Sequence, residues 1–557
     1  MTAARLGRVA AAGALAGCCL FGCHAATATG PRVSATAVSS SSARVTWQAS
    51  ATPARWWVIL TSTDDRSAGQ RTACGSCRDL TIEHLAPGSR YRVRVVPVEA
   101  DGRFGTFSSP TDLSTPADAS CPSASSGDVC AAVDATASGT PATGVGTGGL
   151  HSLTAETAGD RVSAVRPSAW RVSALDFERF ALARSYGGST TVLLSDAWTN
   201  SYTDAPWSDW GRYTEFVRNV VAAHVAAGAV PDYWEVQNEP GPTSFTHGDP
   251  PNLDLVAEQY RVASQAIRAQ LPSARVIGPS TSYPSFGSGI ALDDFLARAV
   301  KAGSPVAALS WHEIGAGCLG FCDGSPRAVL QHADDARAAI AAAPGAGPVA
   351  LDVNEWGAPW NARQPGAAVG YLSSLASAGI DIANPACWPV TTSTGAKVST
   401  CSARPGMLDG LLLEDGRTPT DVWFVHQAYA LMTGSGSRML PSSIADPEAS
   451  AFATVDGTGT IRVMLGRHTG CQSGVDDNCP DGVHYAPDVA VHPVVVVGGA
   501  GGAFDASIAL VPSVAGALTA PTILATRTVE SAGGVVDLGR WTVPDGAALL
   551  VMLAPHR

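Results

Sequence analysis

The sequence predicts a multidomain protein in which a (β/α)8 TIM barrel is flanked by an N-terminal and a C-terminal β-sandwich. Strand-like and helix-like patterns alternate across residues 136–435, as they do in parallel sheets whose strands are connected by helices. Short runs of alternating apolar and polar residues, separated by turn residues, occupy residues 31–116 and 436–557. Such runs are typical of antiparallel sheets that bury one face.

The N-terminal segment, residues 31–116, carries strand patterns around clear turn residues. Residues 43–47 and 91–95 alternate in strand fashion, and the turn Leu85-Ala86-Pro87-Gly88-Ser89 precedes the second run. The strand of Trp47, this turn and the closing Phe107-Ser108-Ser109-Pro110 resemble a fibronectin type III domain. The resemblance implies a small β-sandwich that acts as a spacer or as a weak attachment module.

Residues 117–135 are rich in Ser, Ala and Pro and predict a linker, which the barrel segment follows. The predicted barrel strands span residues 142–150, 162–172, 190–196, 233–239, 275–279, 306–312, 349–355 and 380–388. The predicted helices span residues 174–186, 210–227, 255–270, 292–301, 326–343, 367–378 and 422–432. Eight strands connected by helices imply a closed parallel barrel.

The C-terminal segment, residues 436–557, changes from this alternation to short strand patterns such as residues 461–465 and 491–497. Gly, Pro and Asp turns separate these patterns, which predicts a β-sandwich that packs on the barrel. We also expect a strand from the 117–135 linker to join this sandwich.

The N-terminus has the pattern of an export signal, residues 1–28. Arg5 and Arg8 precede the apolar residues 9–21, a run too short to span a bilayer. Ala26-Thr27-Ala28 fits cleavage by signal peptidase, whereas Leu15-Ala16-Gly17-Cys18 resembles a bacterial lipobox that would leave Cys18 as a lipid anchor. Both alternatives predict a secreted or cell-surface protein whose only membrane contact is the possible anchor.

Ten of the 13 cysteines lie beyond the signal and form five close couples. An even number of cysteines in an exported chain predicts disulfides, and we expect each couple to pair locally. The couples are Cys74/Cys77, Cys121/Cys130, Cys318/Cys322, Cys387/Cys401 and Cys471/Cys479. Cys74-x-x-Cys77 has no second such motif and no His pair at ligand spacing, so the sequence predicts no metal site.

The chain carries a formal net charge of −12, and charged residues make up only 15% of it. This balance argues against nucleic acid as a partner, because phosphate binding requires a basic surface. The sequence contains neither a Gly-x-Ser-x-Gly elbow nor a His-Glu-x-x-His helix, which argues against ester and peptide hydrolysis.

Two glutamates follow predicted strands and carry the strongest functional signal. Glu239 lies in Trp234-Glu235-Val236-Gln237-Asn238-Glu239-Pro240, at the end of strand four, and Glu355 lies in Leu351-Asp352-Val353-Asn354-Glu355-Trp356-Gly357, at the end of strand seven. Catalytic side chains of such barrels come from the carboxyl ends of strands. Retaining glycoside hydrolysis needs two carboxyl groups about 5–5.5 Å apart, one as acid/base and one as nucleophile.

These two motifs, together with the C-terminal β-domain, resemble clan A glycoside hydrolases and are most similar to family 39, which includes β-xylosidases and α-L-iduronidases. The resemblance covers residues 135–557. It implies that Glu239 is the acid/base, that Glu355 is the nucleophile and that Asn238 donates to the sugar 2-hydroxyl. The chain departs from the family's commonest string at Gln237, where Trp is frequent, and this departure leaves the identity of the sugar open.

Four further residues are candidates for substrate binding, each with a structural alternative. His312, at the end of strand six, either contacts a hydroxyl, orients Glu355 or is a core histidine. Asp196, at the end of strand three, either contacts sugar or caps a helix. Trp388 and Trp356 offer aromatic faces to sugar rings or pack in the core. Glu235, within strand four, is expected to pair with an arginine inside the fold.

The sequence therefore predicts an extracytoplasmic retaining glycoside hydrolase that uses two glutamates and no cofactor. Its expected substrate is a plant or microbial polysaccharide or oligosaccharide of xyloside-like chemistry. The alternative is a non-catalytic carbohydrate-binding or adhesion protein on a barrel scaffold. For the acid/base role, we expect burial or the nearby Glu355 charge to raise the pKa of Glu239.

Overall fold

The computed structural model describes residues 30–557 except for short segments, and the predicted export signal lies outside the described residues. The segments outside the description are residues 51, 63–67, 100–102, 122–127, 151–152, 199–203, 242–246, 286–288, 315–324, 359–360, 362, 387, 392–396, 401–404, 470–485, 499–501 and 515. Among the described residues, the helices lack the combination of length and apolar character that crossing a membrane requires.

The N-terminal unit is a β-sandwich, as predicted. One sheet has the order β1-β2-β5 and the other the order β4-β3-β6-β7. Trp47 and Trp56 pack between the two sheets with ring centroids 5.9 Å apart. The strands are β1 (Arg32–Ala37), β2 (Ala43–Gln48), β3 (Arg55–Ser62), β4 (Ala68–Cys74), β5 (Asp79–Ile82), β6 (Arg90–Val98) and β7 (Thr111–Ser114).

The predicted linker contains a strand, β8 (Val129–Asp134), that belongs to the C-terminal sandwich, as we expected. A second short strand, β9 (Thr140–Pro141), also pairs within that sandwich, so the barrel begins only after it. Cys121 and Cys130 form the predicted disulfide and fasten the linker to β8. Cys77 is also disulfide-bonded. The couples Cys318/Cys322, Cys387/Cys401 and Cys471/Cys479 include residues outside the description.

The central unit is a parallel barrel with helices around it. Its seven extended strands are β10 (Ala169–Ser173), β11 (Ser189–Leu193), β12 (Tyr233–Glu235), β13 (Val276–Thr281), β14 (Ala308–Glu313), β15 (Ala350–Trp356) and β16 (Ile382–Pro385), hydrogen-bonded in that order. The helices are α1 (Gly159–Ala164), α2 (Phe177–Ser185), α3 (Ser195–Trp198), α4 (Trp210–Ala226), α5 (Leu253–Gln270), α6 (Leu292–Lys301), α7 (Ala328–Ala341), α8 (Pro365–Ser377) and α9 (Asp421–Met432).

A short segment at residues 148–149, which precedes β10 in the chain, lies between the two end strands of the sheet, β10 and β16. Gly149 forms an isolated parallel bridge to Trp170, and its carbonyl accepts a hydrogen bond of 2.9 Å from Nδ2 of Asn384. A Cβ at Gly148 would lie 2.4 Å from the carbonyl oxygen of Ala383, so only glycine fits there. If this segment takes the place of the predicted first strand, β12 is strand four and β15 is strand seven.

The predicted second strand occupies only the end of its segment. The segment 162–172 begins inside α1, and the extended conformation starts only at β10. Pro167 lies between the two elements, and a proline disfavours the helical conformation of the residue before it. The apolar spacing of the segment therefore spans the end of a helix and the start of a strand.

The C-terminal unit is a sandwich of two sheets, as predicted. One sheet has the order β26-β25-β29-β23-β22-β20-β9, and the other combines β21, β8, β24, β27 and β28. Besides β8 and β9, the strands of this sandwich are β20 (Arg438–Leu440), β21 (Ser442–Ile444), β22 (Ala449–Val455), β23 (Ile461–Arg467), β24 (Val489–Val496), β25 (Ala503–Val511), β26 (Thr522–Glu530), β27 (Val535–Asp537), β28 (Trp541–Val543) and β29 (Ala548–Pro555). A separate small sheet contains β17 (Trp388–Thr391), β18 (Lys397–Thr400) and β19 (Pro405–Gly406).

The sandwich packs directly on the barrel helix α8. A Cβ at Gly366 would lie 1.9 Å from the carbonyl oxygen of Arg467, and the Gly366 N–H donates to the carbonyl of Gly546 at 2.8 Å. The backbones of the helix and the sandwich therefore touch at a position that only glycine allows. This contact holds the helix that follows β15, the strand of Glu355.

Candidate active site

The two predicted glutamates lie at the carboxyl end of the barrel. Glu355 is within β15, and Glu239 follows β12 by four residues. The backbone of Glu239 has φ = +46°, a left-handed conformation that costs a non-glycine residue about 1–3 kcal/mol. Its N–H donates to the carbonyl of Ser280 at 2.9 Å, which helps to hold this turn. Strain of this kind is common where a fold fixes the direction of a functional side chain.

The carboxyl groups of Glu239 and Glu355 converge, together with a ring nitrogen of His312. One atom of each side chain lies within 4.8 Å of the other two. The Glu239 side chain is 37% exposed, whereas that of Glu355 is 4% exposed. One carboxyl group therefore faces the open end of the barrel, and the other lies beneath it.

His312 contacts both glutamates from the end of β14. Its Nδ1 lies 3.2 Å from Oε1 of Glu239 and 3.6 Å from Oε2 of Glu355, and its side chain is fully buried. The imidazole thus touches both carboxyl groups. This position is compatible with the predicted role in which His312 orients Glu355, and that role stays a prediction.

Arg171, which sequence reasoning missed, connects the site from below. From β10 its guanidinium donates to Glu355 Oε1 at 2.8 Å, to Glu235 at 2.6 and 2.7 Å, and to Oδ1 of Asn238 at 2.6 Å. The side chain is 3% exposed. The signal available in the sequence was a lone arginine inside the apolar run Ala169-Trp170-Arg171-Val172, where a buried charge requires a partner.

Glu235 pairs with an arginine inside the fold, as the sequence indicated. Arg171 donates to both of its oxygens, and Nδ2 of Asn354 donates to Oε1 at 2.7 Å. Glu235 therefore holds Arg171 in place and does not face the cleft. Asn238 directs its oxygen to Arg171, which leaves Nδ2 as the atom that can donate to a sugar hydroxyl.

The pKa values of the two glutamates shift in opposite directions in the ligand-free protein. Burial raises the pKa of Glu355, and the charge of Glu239 adds to this effect, although His312 and Arg171 act against it. Burial also acts to raise the pKa of Glu239, but hydrogen-bonding contact with His312 and the charges of His312 and Arg171 bring it below its usual value. The expected rise for Glu239 is therefore wrong for the ligand-free state, because its side chain is only partly buried and touches His312.

Asp352 is a third carboxyl group in the barrel interior, below the glutamates. Its side chain is fully buried, and neither oxygen has a hydrogen-bond partner among the described residues. Burial and the charge of Glu235 raise the pKa of Asp352 well above its usual value, although Arg171 opposes this. Asp352 therefore holds its proton more strongly in the folded protein than an exposed aspartate does.

The three other predicted binding residues lie in different surroundings. Asp196 is half-buried at the start of α3, where its charge acts on Arg171. Trp356 faces away from the cleft and packs in the core, with ring centroids 5.3 Å from Tyr371 and 6.0 Å from His426. Trp388 belongs to β17, and its side chain lies outside the description. We therefore keep Asp196 and Trp388 as predicted contacts and leave Trp356 out of the site.

A second pair of ionisable groups, Glu313 and His332, lies outside the cleft. Glu313 Oε1 accepts from Nε1 of Trp311 at 2.6 Å and lies 2.9 Å from Nδ1 of His332 on α7. Glu313 and Trp311 thus face the helix layer, on the opposite side of β14 from His312. Neighbouring strand residues point to opposite faces, so this pair is structural.

Comparison with known proteins identifies one domain and one fold. Residues 29–113 match the family model described as Fibronectin type III domain. A comparison with curated proteins finds no match to the chain. The chain resembles the solved structure of N2152 from Neocallimastix frontalis with a TM-score of 0.60 and 14% identity, over 77% of this chain and 100% of that one.

Two further solved structures of similar fold carry functional names. The GH39 enzyme from Xanthomonas axonopodis pv. citri has a TM-score of 0.53 and 17% identity, over 77% of this chain and 97% of that one. The glucosidase from Croceicoccus marinus has a TM-score of 0.52 and 14% identity, over 77% and 100%. The chain thus has the fold of glycoside hydrolases of the barrel type, preceded by a fibronectin type III domain.

Proposed function

We propose that this protein is a retaining glycoside hydrolase with Glu239 as acid/base and Glu355 as nucleophile. The observation that carries the proposal is the convergence of these two carboxyl groups, within 4.8 Å, at the ends of strands four and seven. Retaining enzymes keep their carboxyl groups about 5–5.5 Å apart, whereas inverting enzymes leave about 6.5–9.5 Å for a water molecule. The separation here supports direct attack by Glu355.

In the first step, an oxygen of Glu355 attacks the anomeric carbon while Glu239 donates its proton to the glycosidic oxygen. The bond to the leaving group breaks, and an ester forms between the sugar and Glu355. In the second step, the Glu239 carboxylate takes a proton from water, and the resulting hydroxide displaces Glu355. Two inversions at one carbon release the sugar in its original configuration and restore both side chains.

The two steps require a single proton on the pair, placed on Glu239. In the ligand-free protein the pKa of Glu355 is raised and the pKa of Glu239 is lowered, which is the opposite of the order that this arrangement needs. The productive arrangement contains the same number of protons and differs only in their position. A glycosidic oxygen bound beside Glu239 accepts its proton and thereby favours the productive arrangement.

Arg171 and Asn238 contribute to this chemistry through position. Arg171 stabilises the ionised form of Glu355 by donating to Oε1, which leaves Oε2 for the attack. Asn238, held through its oxygen, presents Nδ2 to the sugar 2-hydroxyl. Hydrogen bonds to that hydroxyl strengthen as positive charge develops on the sugar ring.

We further propose membership of family 39, action on a xyloside-like polysaccharide or oligosaccharide, and a location outside the cytoplasm. The strand-four and strand-seven motifs and the fold shared with the GH39 enzyme support the family. The basic and apolar N-terminal pattern and the Cys121–Cys130 disulfide support export. The lipid anchor at Cys18 remains a prediction from the sequence.

Hydrolysis of aryl glycosides and polysaccharides by the wild type and by Glu239→Ala, with and without azide, tests this function. We expect turnover by the wild type, loss in the variant, and rescue by azide that yields a glycosyl azide of retained configuration. Glu258→Ala, on the outer surface of α5, is the control and should keep wild-type activity. A wild type that binds sugars and cleaves none of them would overturn the proposal in favour of a binding protein.

A further inference from the structure

The fibronectin type III domain carries a row of three aromatic side chains on the outer face of its four-stranded sheet. The ring centroids of Trp57 and Phe104 are 4.8 Å apart, and those of Phe104 and Phe107 are 6.2 Å apart. All three side chains are half-buried. They therefore keep part of their aromatic surface open to solvent, unlike the fully buried Trp56.

Strand alternation and a glycine explain why these rings share one face. Trp56 points into the core of the sandwich, so the next residue of β3, Trp57, points outward. After β6, the chain folds back over this face, and Gly105 donates to the carbonyl of Pro97 at 2.9 Å. A Cβ at Gly105 would lie 2.6 Å from Cγ of Pro97, so glycine allows the close approach that brings in Phe104 and Phe107.

Arginines of β6 continue the same face beyond the aromatic row. In the sheet, Arg94 lies opposite Ile59 and Arg92 lies opposite Thr61, which follow Trp57 in β3 by two and four residues. Arg94 is exposed and Arg92 is half-buried, while Asp112 of β7 lies opposite Arg92. Residues 29–113 contain ten arginines and seven acidic residues, whereas the whole chain carries a net charge of −12. This domain is thus a locally basic part of an acidic protein.

One end of the outer face, at Arg55, lies near the rim of the barrel that bears the glutamates. Arg55, on the same face as Trp57, lies close enough to Asp293 and Asp294 for their charges to act on it. These acids occupy the first turn of α6, and barrel helices begin at the carboxyl ends of the strands they follow. The domain is also fixed to α7, where Nε2 of His84 lies 3.0 Å from Oδ2 of Asp334.

We propose that this outer face, defined by Trp57, Phe104, Phe107, Arg92 and Arg94, binds a polysaccharide that contains uronic acids. Aromatic faces pack against the C–H faces of sugar rings. Arginine guanidinium groups recognise carboxylates with paired hydrogen bonds. The proposal goes beyond the proposed function, because it assigns a second carbohydrate site that does not require the barrel to be active.

Affinity electrophoresis of the full-length protein in gels with polygalacturonate, with unsubstituted xylan or with no polymer tests this site. We expect polygalacturonate to retard the wild type more than xylan does, and added salt to weaken the effect. Trp57→Ala and Phe104→Ala should each weaken binding about tenfold. Arg94→Ala should cause a smaller loss that disappears at high salt. Arg44→Ala, an exposed arginine of β2 on the other sheet, is the matched control.

The outcomes separate this site from the active site. Aryl-glycoside hydrolysis should be unchanged in all these variants, and Glu355→Gln should bind polygalacturonate as the wild type does. Retardation that is absent, or that is equal in the wild type and the Trp57 and Arg94 variants, would overturn the proposal. Stronger binding of an oligo-dT strand than of polygalacturonate would also overturn it. Thermal melting of each variant ensures that a loss does not reflect unfolding of the domain.

Discussion

Nη1 of Arg171 donates to Oε1 of Glu355 over 2.8 Å in a buried part of the barrel, and the same guanidinium binds both oxygens of Glu235. One cation is thus shared by two carboxylates that belong to strands four and seven. Burial raises the pKa of Glu355, and the charge of Arg171 acts in the opposite direction. The position and the ionisation of the proposed nucleophile therefore depend on a residue from a third strand.

Arg171→Met should destabilise the protein and impair hydrolysis. Removing the guanidinium leaves the buried Glu235 and Glu355 without the cation that they share, and breaking a buried ion pair costs about 3–5 kcal/mol. The charge of Arg171 acts to lower the pKa of both glutamates, so both pKa values should rise in the variant and the kcat/KM profile should move to higher pH. Urea unfolding and pH–rate profiles measure both effects. Arg261→Met, at a surface pair on α5, should cost less than about 1 kcal/mol. Equal losses in the two variants would contradict this account of Arg171.

Glu239→Gln should affect substrates according to their leaving groups. A dinitrophenyl leaving group departs without protonation, so formation of the glycosyl-enzyme should stay close to the wild-type rate. An alkyl or sugar leaving group needs the proton, and kcat/KM should fall about 10²–10⁴-fold. Glu355→Gln should abolish turnover of both substrates because no ester can form. Stopped-flow bursts and steady-state rates separate the two steps. Equal losses on both substrates would assign Glu239 a different role.

Short-range patterns in the sequence were sufficient to predict the barrel and both sandwiches, and they also predicted that the two glutamates lie at the carboxyl ends of strands. Each motif combines an apolar strand with polar residues at its end, and this local signal does not depend on the rest of the fold. The contact between Glu355 and Arg171, by contrast, is long-range in the sequence. Arg171 lies 184 residues from Glu355 in the chain, and only closure of the barrel brings them together.

The position of Trp356 could not be predicted from strand alternation. Asn354 and Glu355 are neighbours in β15, yet both face the barrel interior, because the register of the strand shifts here. Trp356 packs on the other side, against Tyr371 and His426. In β14, by contrast, alternation separates His312, which faces the cleft, from Trp311, which is in the core. The pKa order of the two glutamates could not be predicted, because it depends on a contact of 3.2 Å between His312 and Glu239.

His312→Asn should move the whole bell-shaped pH profile of kcat/KM to higher pH. His312 lowers the pKa of Glu239 and also that of Glu355, so its removal raises both values. The two limbs of a kcat/KM profile report the titrations of the coupled pair in the free enzyme, so both limbs should move in the same direction. Profiles measured between pH 4 and pH 9 detect the shift. A change in only one limb would show that His312 acts on one glutamate alone.

Asp352→Asn should stabilise the protein increasingly as the pH rises. Because burial raises the pKa of Asp352 in the folded state, the folded protein keeps a proton that the unfolded chain loses above about pH 4. Unfolding of the wild type is therefore favoured as the pH increases, whereas the neutral amide does not titrate. The difference in Tm between variant and wild type should grow from pH 4 to pH 8. Asp254→Asn, an exposed acid of α5, should give a small difference that varies little with pH. A constant difference for Asp352→Asn would mean that this carboxyl group ionises normally in the folded barrel.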